Sequence, residues 1–312
     1  MAQPPAEETS QARLAELLPS FGLTDPDSEI SWYLLVFPKV VLFLFLLILP
    51  FLGLVWISLH EWGPLAATKP FVGLDNYVRL LTDSTFHKAL INTASYSASL
   101  LLFDVPIALG LALLLDMNLR GTRFYSAAIF LPVVTSWVVV SLIWTWLYQP
   151  DYGMINSFLQ GVGLPTLEWL NSRHTALASI SIMSIWKHVG FNMVIFLAGL
   201  KGIPNQYYEA AAIDGADRWQ RFRNITLPLL KPTSFLVVLV TMIFSFRLFA
   251  QVYVMTGGGP VHSSTSIVYY LWQQGFKQFN MGYASAIAVV LFVIVFALSL
   301  IQNRYAGDDV EY

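Results

Sequence analysis

Six stretches of the chain are long and apolar enough to cross a lipid bilayer, and this feature constrains the fold more than any other. The hydrocarbon core of a bilayer is about 30 Å thick and is crossed by roughly 20 apolar helical residues. Each stretch is bounded by proline, glycine or charge, as helix ends usually are. The pattern predicts an all-α polytopic membrane protein with six transmembrane helices, at residues 32–59, 90–115, 124–148, 176–200, 233–255 and 281–302.

The composition agrees with a membrane protein. Only 12% of the residues are charged, whereas an average soluble domain has about 25%. We expect a cytoplasmic leader at residues 1–31, a six-helix domain at residues 32–304 and a cytoplasmic tail at residues 305–312. The leader has no basic region or small-residue cleavage site, so we expect the first apolar stretch to be retained as a span. Its apolar spacing fits an amphipathic surface helix or a plain tail.

Lysines and arginines in the short connections predict the orientation, because cytoplasmic loops are enriched in them. The larger group falls on the side of both termini: Arg13, Arg120, Arg123, Lys201, Arg218, Arg221, Arg223, Lys231 and Arg304. The opposite side carries Lys69, Arg79, Lys88, Arg173 and Lys277. We therefore expect a multi-pass protein of the cytoplasmic membrane with both termini in the cytoplasm.

Several kinds of chemistry are excluded by the residues that the chain lacks. It has no cysteine, which rules out disulfides and thiolate metal sites. Its net charge of −2 provides no basic field for nucleic acid, and its histidines lack metal-ligand spacing. No phosphate loop, HExxH or GxSxG motif occurs. We expect no enzymatic activity and no cofactor in this chain. If ATP powers the protein, another subunit must bind it, together with magnesium.

A charged segment, residues 201–231, separates the fourth and fifth apolar stretches. Glu209 and the alanines after it favour a short helix, and Gly215 can take the left-handed conformation that ends one. Asp217 and Gln220 have the spacing of a capping box that starts a second helix. The segment is interpreted either as a compact knob that fits a partner's socket or as an amphipathic loop resting on lipid headgroups.

The spacing of this segment resembles the EAA loop of ABC importer permeases. It reads Glu-Ala-Ala, then a glycine, then Ile-x-Leu-Pro before the next apolar stretch. In that family the loop forms coupling helices that sit in a cleft of the ATPase subunit. The resemblance implies that the residues coupling this chain to an ATPase are Glu209, Ala210, Ala211, Gly215, Ile225, Leu227 and Pro228.

Further stretches are similar to the carbohydrate-uptake branch of that family, the maltose and glycerol-3-phosphate type. They are FVGLDNYVRLL at 71–81, FLPVVTSWVVVSLIWTWLY at 130–148, DYGMINSFLQGVGL at 151–164 and VMTGGGPVHSST at 254–265. The resemblance implies a binding-protein-dependent transport system inner membrane component surrounded by lipid. Its partners would be a second permease chain, two ATP-binding cassette ATPases and an extracytoplasmic solute-binding protein.

Polar and aromatic side chains alternate in the fourth and fifth apolar stretches, a mixture that suits the hydroxyls and C–H faces of a sugar. In the family, the helices flanking the EAA loop line the translocation path. The candidate path residues are Ser184, Lys187, His188, Phe191, Asn192, Thr241, Phe244, Ser245 and Arg247. Polar contacts between helices are the alternative, each worth about 0.6 kcal/mol. The cationic members suit either an anionic solute or acidic groups of a partner subunit.

Asp104 is the acidic residue inside the second stretch, where a charge costs roughly 2.5–3.5 kcal/mol at mid-helix. A structural partner or a kink at Pro106 would explain it as well as transport would. We assign it no role from the sequence.

The connections on the outer side contain the candidate contacts for a solute-binding protein. Residues 149–173 have helical apolar spacing, and a run of three glycines lets the backbone approach a partner. By resemblance, the candidate contacts are Trp169, Gly257, Gly258 and Gly259. The alternative is a helix on the lipid surface followed by a flexible turn.

The leading hypothesis is a permease subunit that imports a sugar, or a polyol that can be phosphorylated, by alternating access. An ion-coupled secondary transporter is an alternative, although the chain shows no internal repeat. Another is an ABC permease for amino acids or peptides, which would share the EAA loop but not the TGGGP and GLDNY segments.

Overall fold

The structure of the protein is a computed structural model that describes residues 29–64, 67–117 and 120–306. These residues form α-helices and π-helical turns, and an isolated bridge between His60 and Phe71 accounts for the strand-like pairing among them. Contacts within the chain group it into two compact units, Met1–Trp56 and Ile57–Tyr312. Most of the predicted leader and tail lies outside the described residues, and the predicted domain bounds stay a prediction.

Among the described residues, four helices are long and apolar enough to cross a membrane, and two bent helix pairs raise the number to six if each pair is one span. The long helices are Val36–Ser58, Ser84–Asp116, Ala176–Lys201 and Met281–Arg304. The bent pairs are Thr122–Val134 with Trp137–Leu147, and Arg218–Leu229 with Lys231–Ser245. In chain order they are called the first to sixth span, the fifth being Lys231–Ser245. The all-α fold that the apolar stretches predict is confirmed.

Short helices and π-helical turns complete the fold. The short helices are Asp75–Thr82, Met154–Gly161, Asn205–Ile213, Arg218–Arg221, Leu227–Leu229, Ala250–Met255 and Ile267–Trp272. The π-helical turns are Leu44–Ile48, Leu100–Asp104, Phe222–Thr226 and Gln273–Lys277. The first two turns join Glu29–Phe43 to Leu49–Ser58 and Ser84–Ser99 to Val105–Asp116, and the last long helix is Met281–Ala306.

Two apolar stretches are broken, which the simple six-helix prediction did not anticipate. The third span bends by 100° between Val134 and Trp137. The stretch predicted at residues 233–255 is helical to Ser245 and resumes only at Ala250. In lipid, the backbone groups freed at such breaks must find partners inside the protein.

The broken backbone obtains its hydrogen-bond partners from side chains elsewhere in the sequence. Lys187 Nζ donates to the carbonyl oxygens of Pro132 at 2.9 Å and Val133 at 3.1 Å, where the first half of the third span ends. Ser266 Oγ donates to the carbonyl of Leu248 at 2.5 Å, within the second break. Specific side-chain hydrogen bonds therefore stabilise the backbone at both breaks.

Small residues allow the central spans to pack closely. Ala108 and Ala112 of the second span are fully buried in one cluster with Met193 and Phe196 of the fourth. A Cβ atom on Gly190 would lie 2.4 Å from the carbonyl oxygen of the third span's Ile129. Because lipid provides no hydrophobic drive between helices, such close packing contributes much of their association.

Asp83 is a hydrogen-bond centre at the start of the second span. It accepts from two amides of the following helix turn and from the hydroxyls of Tyr270 and Tyr283, both at 2.5 Å. Burial by itself would raise the pKa of this carboxyl. The hydrogen bonds from the two tyrosines and the two amides together lower the pKa by more than burial raises it, so it lies below the ordinary value. The centre ties the second span to the sixth.

We expect Gly190→Ala to destabilise the protein, because the added methyl meets a backbone carbonyl that cannot move aside alone. Overpacking of this kind costs about 1–3 kcal/mol, or roughly 3–10 °C in the thermal unfolding midpoint of the purified protein in detergent. Gly110→Ala is the matched control, since a Cβ there meets nothing within 4 Å. Equal midpoints for the two variants would contradict the close approach.

Candidate functional site

A buried polar cluster joins three spans near the middle of the bundle. Asp104 Oδ2 lies 3.0 Å from His188 Nδ1 and accepts a hydrogen bond from Asn192 Nδ2 at 2.5 Å. Asn192 Nδ2 also donates to Thr241 Oγ1 at 2.8 Å. His188 and Asn192 can both reach Asp104 because they are four residues apart on one helix face. The cluster therefore fixes the second, fourth and fifth spans against one another.

The structure gives Asp104 the first of the two local explanations that the sequence left open, a structural partner. It has structural partners in His188 and Asn192. It is also the last residue of the π-helical turn Leu100–Asp104, which precedes Pro106 at the beginning of the next helical segment. Proline lacks a backbone donor, and a π-helical turn is one of the usual ways in which a helix accommodates that loss.

Beside this cluster lies a cavity of about 290 Å³. Residues of the second, third, fourth and fifth spans and of the break after the fifth surround it: Tyr96, Leu100, Trp137, His188, Phe244, Arg247, Phe249, Ala250 and Gln251. Its volume is close to the lower end of the range for small-molecule pockets. Its wall combines aromatic rings with hydrogen-bonding groups.

Three of the predicted path residues line this cavity, namely His188, Phe244 and Arg247. The ring of Phe191 is next to them, 5.6 Å from the ring of His188 and 6.2 Å from that of Phe244. The break at residues 246–249 places Phe244 and Arg247 at the cavity, because the helix ends there.

The other predicted path residues are buried and contact neighbouring helices, as the alternative interpretation proposed. Asn192 and Thr241 belong to the polar cluster, and Lys187 caps the carbonyls of the third span. Ser245 Oγ donates to Ser97 Oγ at 2.6 Å, and Ser184 is fully buried. These residues make helix-packing contacts in this structure, and their assignment as solute contacts stays a prediction.

Sequence reasoning missed five aromatic or apolar residues in the cavity wall, namely Tyr96, Leu100, Trp137, Phe249 and Ala250. Tyr96 and Leu100 lie in the long second span, where apolar spacing does not distinguish a cavity face from a packed one. Trp137 is the first helical residue after the first break, and Phe249 is the last residue of the second. The Thr135–Ser136 pair after Pro132 was the available signal of a break, since such residues favour turns and caps over helix interiors.

The charged segment forms the two short helices that its residues predict. The first helix is Asn205–Ile213, and Gly215 follows it with φ of +78°, in the left-handed region. Asp217 and Gln220 form the predicted capping box through two hydrogen bonds of 2.8 Å. These two helices and the glycine bend are called the knob.

The second helix of the knob is longer than the sequence indicated. It continues through the π-helical turn Phe222–Thr226 and past Pro228 to Leu229. A bend of 64° at Leu230 then leads into the fifth span. Tyr208 OH and Thr226 Oγ1 lie 3.0 Å apart and connect the two helices. The knob and the fifth span are thus joined by one short bend.

The predicted coupling residues are exposed to different degrees. Glu209 and Ala210 are exposed, Ala211 and Ile225 are half-buried, and the knob presents a bare apolar surface at Ile213, which is 86% exposed. Trp219 is 64% exposed on the second helix.

The predicted outer contacts have roles within the chain. Trp169 Nε1 donates to Asn156 Oδ1 at 2.8 Å, and its ring stacks on Tyr148 at 5.0 Å. A Cβ atom on Gly258 would lie 2.7 Å from Thr265 Oγ1, and this glycine has φ of +83°. The local fold therefore requires a glycine at that position, and contact with a solute-binding protein stays a prediction. Within the described residues, no group of three or more His, Asp and Glu side chains could hold a metal ion.

The chain is similar along most of its length to transport permeases. It is 38% identical to the probable ABC transporter permease protein YurN of Bacillus subtilis, over 89% of this chain and 96% of that protein. It is 34% identical to the sn-glycerol-3-phosphate transport system permease protein UgpA of Salmonella typhimurium, over 90% and 95%. It is 35% identical to the trehalose/maltose transport system permease protein MalF of Thermococcus litoralis, over 87% and 92%.

The fold is similar to that of a chain in a bacterial ABC transporter involved in the import of the acidic polysaccharide alginate. The TM-score is 0.80 at 25% identity, with 91% of this chain and 97% of that chain covered. A complex of the bacterial alginate transporter with its pentasaccharide-bound periplasmic protein matches with a TM-score of 0.79, 25% identity and coverage of 90% and 96%. Residues 104–306 match the family described as binding-protein-dependent transport system inner membrane component. The chain belongs to that family.

Proposed function

We propose that this chain is the permease subunit of an ATP-driven importer that moves a sugar or a sugar-like polyol, with or without a phosphate. The solute would pass through the 290 Å³ cavity beside the buried polar cluster. The observation that carries the proposal is the knob, an exposed helical pair joined by one bend to a span that lines this cavity.

The knob has the properties of a part that fits into another protein. Its glycine bend and capping box give it a defined shape, and Ile213 and Trp219 leave an apolar surface uncovered. A loop that rested on lipid headgroups would not need a capping box and a left-handed glycine bend to fix its shape. The proposed sockets are in two ATP-binding cassette ATPase subunits, one of which holds this knob, and those subunits would bind ATP and magnesium.

The bend at Leu230 supports a mechanism for the coupling. Leu230 is fully buried, so the bend is packed against the protein. Closure of the ATPases would displace the knob and turn the fifth span, which carries Phe244 and leads into Arg247 at the cavity. Rotation of that wall would open the cavity alternately to the two sides of the membrane.

The proposed solute class and the remaining partners rest on the chemistry of the cavity wall and on the names of related proteins. The cavity combines aromatic faces with Gln251, His188 and Arg247, and relatives of this chain carry names of glycerol-3-phosphate and trehalose or maltose transport. We infer that an extracytoplasmic binding protein delivers the solute. A second permease of different sequence would complete the pathway, with both termini of this chain in the cytoplasm.

We expect Gly215→Pro to abolish ATPase association and solute uptake while leaving membrane insertion intact. Proline fixes φ near −65°, whereas the bend requires +78°. The measurement is the amount of ATPase that co-purifies with the permease, alongside uptake. Gly163→Pro is the matched control, because Gly163 has φ of +77° in an outer connection. Normal association and uptake with Gly215→Pro would count decisively against coupling through the knob.

The absence of cysteine allows a labelling test of the orientation. We expect Ile213→Cys to react with a membrane-impermeant maleimide in inside-out vesicles and to be protected when the ATPases are present. Val162→Cys, at an exposed outer position, should react in intact cells. Labelling of Ile213→Cys in intact cells would refute the assigned orientation.

A further inference from the structure

A second cavity, of about 620 Å³, shares no lining residue with the cavity of the proposed path. One wall is the connection after the first span, and the other is the segment at residues 278–280 before the sixth span. The amide of Gly282 donates to the carbonyl of Trp62 at 3.0 Å, and a Cβ atom on Gly282 would lie 2.1 Å from the carbonyl oxygen of His60. The two walls are thus packed together around a space of small-molecule size. This space is called the outer cavity.

Phe279 lines the outer cavity in an unfavourable backbone conformation. Its φ is +56°, a left-handed value that bulky residues rarely adopt. Hydrogen bonds on either side hold it there: the amide of Gln278 donates to Gln273 at 3.0 Å, and that of Asn280 donates to Gln274 at 2.9 Å. The ring is nevertheless 51% exposed, so core packing does not explain the conformation. Strained residues of this kind are concentrated at binding sites.

Two asparagines in the wall are oriented by the fold, one as an acceptor and one as a donor. Asn76 Nδ2 donates to the carbonyls of Ser58 at 2.8 Å and His60 at 3.1 Å, which leaves Oδ1 as its acceptor. Asn280 Oδ1 accepts from the amide of Tyr283 at 3.3 Å, which leaves Nδ2 as its donor. Because these contacts fix both side chains in advance, a ligand would lose little free energy in ordering them.

The wall also contains two carboxylates, those of Glu61 and Asp75. Within the described ranges, neither has a hydrogen bond or an ion pair through its side chain. Arg79 is the cation in the wall, and its guanidinium carbon lies 4.2 Å from the centre of the Tyr283 ring. The wall therefore mixes acceptors with donors and carries more negative than positive charge. A sugar hydroxyl both donates and accepts, whereas an ionised phosphate or carboxylate chiefly accepts.

We propose that the outer cavity is a binding site for a neutral saccharide. Its hydroxyls would donate to the Asp75 carboxylate and to Asn76 Oδ1 and accept from Asn280 Nδ2, while a C–H face lies on the ring of Phe279. Protein contacts are extended surfaces of larger area, so a concave space of this size fits a small molecule better. The site is separate from the proposed path, and sugar would bind there whether or not this chain transports it.

The test is a fluorescence titration of the assembled complex of this chain, the second permease and the two ATPases in lipid. Ala67 is exposed and lies outside the wall, next to the lining residue Thr68. Ala67→Cys labelled with an environment-sensitive maleimide dye would report binding, and the complex without the added cysteine gives the background. The probes are glucose, galactose, maltose and trehalose. We expect a saturable change with at least one of them, and weaker binding of glucuronate and galacturonate, which the negative wall repels.

Substitutions in the labelled complex locate the binding. Asp75→Asn and Phe279→Ala should each weaken it about tenfold, through loss of a charged hydrogen bond and of an apolar contact. Asp151→Asn and Phe158→Ala are the matched controls, because both are exposed in another outer connection. Phe244→Ala alters the other cavity and should leave the response of the dye unchanged.

Several results would overturn the proposal. They are the absence of a saturable response to any of the four sugars, an unchanged affinity in Phe279→Ala, and tighter binding of the sugar acids. A response to an extracytoplasmic binding protein without one to the sugars would identify a protein contact instead. If Phe279→Ala fails to assemble, Phe279→Gly decides, because glycine adopts a positive φ without strain. Failure of the transport function would be seen separately, in the ATPase association of Gly215→Pro.

Discussion

The structure depends on one constraint, that a backbone surrounded by lipid has to satisfy its own polar groups. Unbroken helices do so by themselves, but the third span and the end of the fifth are interrupted. Lys187 and Ser266 supply hydrogen bonds to the carbonyls freed there. Irregular backbone is tolerated within a bundle where it lies against protein or lines a cavity. These breaks therefore occur where the cavity is, and Trp137 and Phe249 reach its wall because of them.

The buried cluster and the cavity are adjacent and share one residue, His188. Asp104, Asn192 and Thr241 are directed into the packed bundle, whereas His188 belongs both to the cluster and to the cavity wall. A buried polar network of this kind is stable only when its members are paired. The His188 imidazole thus takes part both in the packing of three spans and in the wall of the cavity.

The knob and the cavity are connected through the fifth span. Leu230, between the knob and the regular helix Lys231–Ser245, is fully buried, which supports the proposed transmission of movement. The break after Ser245 ends that rigid segment at the cavity wall. A short rigid helix with a bend at one end and a break at the other would suit the proposed alternating exposure of the cavity.

The sequence by itself determined the helical membrane fold, since six long apolar stretches permit few alternatives. It also determined the knob, because Gly215, Asp217 and Gln220 act on their immediate neighbours and local chemistry is readable from order alone. Only the tertiary structure decided the breaks in two spans and the fate of the polar residues. Lys187 and Arg247 are both cations in apolar stretches, yet one caps a distant helix and the other faces a cavity. Helical spacing gives the face on which a side chain lies, but which helix covers that face is settled by packing between segments far apart in the chain.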